Sequence, residues 1–197
     1  MNQEIIYTIS DIEMGRSDEM DDFDDDHHLI DFLTRLKNQA GSKTLVFNGD
    51  TFDFLKMAYK GEYTRYITEE ISLWKMEETI KAHPAVFDAL KSFLENPNNK
   101  IFFVIGNHDF DLAWPTIQNL IRKTISGNGE NTKFGFEYDN GELHIEHGNL
   151  VDYFQKINPN KPFIKYKGQN ILKLSLGVYA VIGYLIEIKR KFAHEEQ

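Results

Sequence analysis

The chain has 197 residues, 41% of them hydrophobic, which suits one soluble domain with a core of its own. Its net charge of −9 argues against nucleic acid as the main partner, because a phosphate backbone asks for Lys and Arg in excess; it suits a protein that gathers cations. Cysteine is absent, which excludes disulfides and thiolate metal sites, and the opening MNQEIIYTIS lacks the basic and apolar regions of a signal peptide, so the cytoplasm is the expected compartment.

The first predicted element is a short buried strand, EIIYTI at 4–9, which stops at Ser10-Asp11. An acidic run, DEMDDFDDD at 18–26, reads as a solvated loop. Asp26 is placed to cap the helix that follows at 27–39, whose Leu29, Phe32, Leu33 and Leu36 share one face, and Gly41 is a plausible stop. TLVF at 44–47 is a second apolar strand, ending in Asn48, Gly49 and Asp50. A helical region is predicted over 68–95 with a break near His83-Pro84, then a third strand, IFFVI, at 101–105. Pro115 opens a helix over 115–126. Residues 134–147 alternate with period two around Asn140-Gly141, the pattern of a hairpin. His27, His28 and His83 read as surface residues and His144 as structural.

Residues 171–188, ILKLSLGVYAVIGYLIEI, are apolar, but the uncharged core from Leu174 to Ile186 is too short for a bilayer, which needs about 20 residues. A buried or cap helix is the favoured reading, with contact to a membrane surface or an acyl chain second. Lys161, Lys165, Lys167 and Lys173 could meet anionic phosphate groups there, and a solvated basic face explains them equally well.

Strands alternating with helices predict an α/β fold. Each strand delivers polar side chains at its carboxyl end: SDIE at 10–13, NGDTFD at 48–53, GNHD at 106–109, and EHGN at 146–149. Ligands bind at that end of open α/β sheets. Asp11, Glu13, Asp50, Asn107 and His147 are hard oxygen and imidazole donors that suit manganese, iron, zinc or magnesium. Asp50 is a natural bridge between two ions, and Asn107 adds a neutral ligand. His108 is then free to act on the substrate, with Asp109 expected to orient it through its other ring nitrogen.

In this order DxE, GDxxD (Gly49, Asp50, Asp53), GNHD (Gly106 to Asp109) and HGN (His147 to Asn149) resemble the calcineurin-like metallophosphoesterase superfamily over residues 4–153. The stretch HGNLVDYFQK, with an apolar segment behind it, is similar to UDP-2,3-diacylglucosamine pyrophosphohydrolases. The resemblance implies an α-β-β-α sandwich over 1–153 and a helical cap over 154–197, with the chain stopping inside the cap. It also implies two divalent ions, manganese first. Asp11, Glu13 and Asp50 would hold one; Asp50, Asn107 and His147 would hold the other. The expected reaction is hydrolysis of a phosphoester or phosphoanhydride in a phosphorylated small molecule or a lipid-linked substrate, with peripheral membrane contact through 171–188. This sequence departs from the family pattern in two places. Glu13 stands where the family has histidine, and the closing GHxH motif is absent. A non-catalytic binding module on the same fold is therefore the alternative. A calcium loop over 18–29 is weaker, since its sixth and twelfth positions are Phe23 and Leu29, not Gly and Glu.

Overall fold

A computed structural model describes residues 4–126 and 129–192. Four parallel strands form the main sheet in the order β1-β2-β3-β4: β1 (Ile5–Ile9), β2 (Lys43–Asn48), β3 (Lys100–Val104) and β4 (Thr132–Gly135). Each crossover is helical, with α1 (Asp26–Asn38) between β1 and β2, α2 (Glu69–Ala82) and α3 (Pro84–Phe93) between β2 and β3, and α4 (Pro115–Ile125) between β3 and β4. The helix break falls at His83-Pro84, where proline begins α3 at a position that needs no backbone donor.

Strand β2 is central and buried nearly throughout, which is why it reads as an unbroken apolar run. One face of the sheet carries Leu45, Phe47, Ile101 and Phe103 into the core beneath the helices. There Phe103 stacks between Phe47 at 4.9 Å and Phe134 at 5.1 Å. Lys43 is fully buried and has no carboxylate partner among the described residues; its ammonium donates to the Gln39 and Gly41 carbonyls at 2.7 and 2.8 Å, just past the end of α1.

The opposite face carries Val46, Phe102 and Val104. It meets an antiparallel ribbon of β5 (Glu137–Asp139) and β6 (His144–Glu146), with Phe102 edge-on to Tyr138 at 5.3 Å. The α/β class is as expected, but the second sheet of the sandwich is represented among the described residues by this short ribbon. The hairpin does turn at Asn140-Gly141, yet its first strand is divided: Thr132–Gly135 joins the main sheet and only Glu137–Asp139 pairs with β6. His144 is exposed at the ribbon's end, 3.3 Å from Asp139.

The segment after 154 is not wholly helical. It forms a second ribbon, β7 (Phe163–Tyr166) and β8 (Gln169–Leu172), turning at Lys167-Gly168, both with positive φ. Helix α5 (Leu176–Ala180) follows, then a π-turn over Val181–Leu185 and α6 (Ile186–Phe192). Leu172, Leu174, Val178, Ile182 and Ile186 enter the same hydrophobic core as α1 and β2. Phe163 stacks on Trp114 at 4.0 Å, so the segment is bound to the body of the fold. No helix among the described residues is long and apolar enough to cross a membrane.

Two expectations about the acidic run are corrected. Met20 is buried in the core, and the Asp21 carboxylate accepts the backbone N–H groups of Gly15, Ser17 and Phe23, so this segment is a folded loop. Asp25, not Asp26, precedes α1, and neither side chain is found capping it. Asp26 instead reaches His83 Nδ1 at 2.7 Å. His83 is only 2% exposed, with its Nε2 3.8 Å from Asp21 and 3.4 Å from the Ser17 hydroxyl. Burial alone would pull its pKa down, but Asp21 and Asp26 outweigh this and raise it. A raised pKa stabilises the fold fully below the unfolded value of about 6.5 and loses that contribution as pH climbs through the folded value. His83→Gln should therefore lag the wild type most near pH 6 in urea midpoint, and the gap should narrow on the alkaline side. A gap constant with pH would rule out the charged lock.

Candidate metal centre

The loops after β1 and β2 are zipped together. Asp11 N–H donates to the Gly49 carbonyl at 3.2 Å, Glu13 N–H to Asp50 at 2.9 Å, and Met14 N–H to Thr51 at 3.0 Å. To follow this path Asp11, Glu13 and Asp50 all take left-handed backbone conformations, with φ of 55°, 56° and 49°. Such residues cost on the order of 1–3 kcal/mol each and tend to gather at functional sites. Two glycines allow close approach: a Cβ on Gly49 would lie 2.3 Å from the His147 ring, and one on Gly106 would lie 2.1 Å from an Asp50 oxygen.

Asp11, Asp50 and His147 each offer a ligand atom, all within 4.8 Å of one another. His147 comes from the end of β6. Its Nδ1 donates to the Asn48 carbonyl at 2.9 Å, which turns Nε2 toward Asp50 at 3.1 Å. A backbone carbonyl on one imidazole nitrogen is the usual way a protein fixes the other as a ligand. Burial lowers the His147 pKa, but Asp50 more than compensates and pushes it up to about 9. The proton held between Nε2 and Asp50 lies where a cation would be welcome, so this donor set fits a divalent ion. Asn107 is buried in the neighbouring loop, directly after Gly106.

His108 N–H donates to Asp50 at 2.8 Å, while its ring Nδ1 faces Asp53 at 3.2 Å. This corrects the assignment of Asp109 as its orienting partner. Asp109 is fully buried and turned back under its own loop, where it accepts the N–H groups of Gly106 at 2.7 Å and Thr51 at 2.8 Å. It clamps the two ligand loops to each other. Burial, and after it the Asp50 charge, push the Asp109 pKa up to about 7 against those two amides. The His108 pKa also rises to about 9, because Asp53, Asp50 and Glu13 outweigh the burial that would lower it. The residue missed at His108 is thus Asp53, already present as the last letter of GDxxD.

Glu13 does not join Asp11, Asp50 and His147. It groups instead with Asp53 and His108, and its Oε2 lies 3.2 Å from the Lys56 ammonium. Lys56 also pairs with Asp53 at 2.5 Å and Asp22 at 2.7 Å. Its burial lowers its pKa, yet the Asp53 charge first, then Asp22 and Glu13, hold it above the ordinary lysine value.

Hard ligands gathered where parallel strands end, beside a histidine–carboxylate pair, place the chain among metal-dependent phosphoesterases. The family model described as calcineurin-like phosphoesterase matches residues 6–182, and the chain belongs to that family. No curated protein and no solved structure gave a match.

Proposed function

We propose that this chain hydrolyses a phosphoester or phosphoanhydride bond in a substrate with an apolar or lipid-linked portion. The observation that carries the reading is the convergence of Asp11, Asp50 and His147. Three protein ligands, or four with Asn107, leave positions open to water or substrate on a six-coordinate ion such as manganese. A bound divalent ion, manganese foremost, would supply Lewis acidity to a phosphoryl oxygen and to water. Asn107, in the adjoining loop, is a further neutral donor. His108 has Nδ1 committed to Asp53, which leaves Nε2 to donate to a phosphoryl or leaving oxygen.

Two features support the substrate class. A cleft of about 440 Å³ has Asp11, Asp22, Asp25 and His28 on its wall beside Ile9, Ile12, Phe23, Leu29 and Phe32. Val151, Tyr153 and Phe154 are exposed, as is Leu176; the Gly177 N–H bonds the Phe154 carbonyl at 2.8 Å, joining the two segments. An exposed apolar surface of this kind suits acyl chains or a membrane surface.

The rival reading is a non-catalytic binding module on the same fold. To separate them, the chain is stripped with EDTA, reloaded with manganese, and offered bis(p-nitrophenyl) phosphate, a UDP-sugar and a lipid-linked diphosphate. Turnover that disappears with EDTA and returns with manganese is expected, fastest on the lipid-linked compound. Metal-loaded protein that binds one of these compounds without cleaving it would favour the module instead.

A further inference from the structure

The candidate ligands fall into two groups with opposite electrostatic states. Asp11 and Asp50 have no Lys or Arg ion-pair partner among the described residues, and His147 alone pairs with Asp50. In the group of Glu13, Asp53 and His108 the carboxylates are already ion-paired. Asp53 divides its oxygens between His108 at 3.2 Å and Lys56 at 2.5 Å. Glu13 gives one oxygen to Lys56 at 3.2 Å, and its other lies 3.8 Å from His108. Asp22 holds Lys56 from a third side at 2.7 Å and is itself paired with Lys189. The Lys56 side chain is 16% exposed, so this ammonium is built in, with little water to screen it.

Resting on the metal-centre reading above, we propose that the chain binds a single divalent ion, at Asp11, Asp50 and His147, and that the Lys56 ammonium fills the second cation position, held there by Glu13 and Asp53. A second dication at that position would have to displace a tethered cation from three carboxylates. A carboxylate at position 13 suits this role, because it attracts an ammonium as a neutral imidazole would not. The arrangement also ties the fixed charge to His108 through their shared partner Asp53, so one carboxylate positions both groups next to the ion.

The test counts metal. The EDTA-stripped chain is titrated with manganese, the bound ion is measured by equilibrium dialysis, and the paramagnetic spectrum is recorded. The wild type should take up one equivalent with the spectrum of an isolated ion. Lys56→Gln should take up a second equivalent, whereas Lys56→Arg should stay at one. Glu13→Gln should also keep its one ion, which serves as the check if Lys56→Gln does not fold. Two equivalents in the wild type, one in folded Lys56→Gln, or none in Glu13→Gln would overturn the inference. No ion bound by the wild type, or full binding retained in Asp50→Asn, would instead overturn the metal-centre reading on which it rests.

Discussion

Asp50→Asn is expected to remove metal binding and to lower manganese-dependent kcat/KM by more than about a thousandfold, the scale of losing a preorganised electrostatic element. The substitution is nearly isosteric, and asparagine tolerates the left-handed conformation that position 50 adopts at φ 49°. Its amide oxygen can still accept the His108 N–H. The fold should therefore survive, and what disappears is the negative charge facing His147. Thermal unfolding separates the two effects. At a metal concentration a hundred times Kd, a ligand that binds only the folded state adds about 2.7 kcal/mol, which for a chain of this size raises Tm by roughly 5–10 °C. The wild type should show that rise with manganese, and Asp50→Asn should melt at the same temperature with and without it. A metal-induced rise that persists in Asp50→Asn would place the ion elsewhere.

Much of this centre is legible in the amino-acid sequence. Apolar runs that end in Asp, Asn and Gly signal buried strands that turn abruptly; β1 ends at the predicted Ile9, and β2 and β3 end within one residue of the predicted positions. Which polar side chain faces which is not written there. Asp109 is adjacent to His108, so proximity along the chain suggests a pair. In three dimensions neighbouring side chains point apart, and the histidine meets Asp53 from 55 positions away. Lys56 carries no signal at all, since a lysine near an acidic loop is ordinarily solvated. His83 looks like a surface residue because its partners, Asp21 and Asp26, lie on the far side of β2 in sequence. The ribbon at 163–172 has a readable cue in Lys167-Gly168, a two-residue turn of the hairpin type, which the apolar stretch after it obscures.

The separation of Asp53 from Asp109 leads to the second large effect. His108→Asn should lower kcat by about a hundredfold to ten-thousandfold, the usual contribution of a positioned acid or donor, with metal content unchanged. Asp53→Asn should act differently. Asp53 raises the His108 pKa, so its removal lets that pKa fall toward the ordinary histidine value. The protonated ring is then lost at lower pH, and the alkaline limb of the kcat profile should move to the acid side of the wild-type limb. The sign holds with a cation bound nearby, because such a cation lowers the His108 pKa in both proteins. Asp109→Asn tests the pairing of chain neighbours directly. Asp109 takes two backbone N–H groups and no part of the imidazole, so its loss should loosen the contact between the two ligand loops. Expected there are a lower Tm and weaker metal affinity, with the alkaline limb unmoved. If Asp109→Asn shifts the limb and Asp53→Asn does not, the acid–base pair has been assigned to the wrong carboxylate.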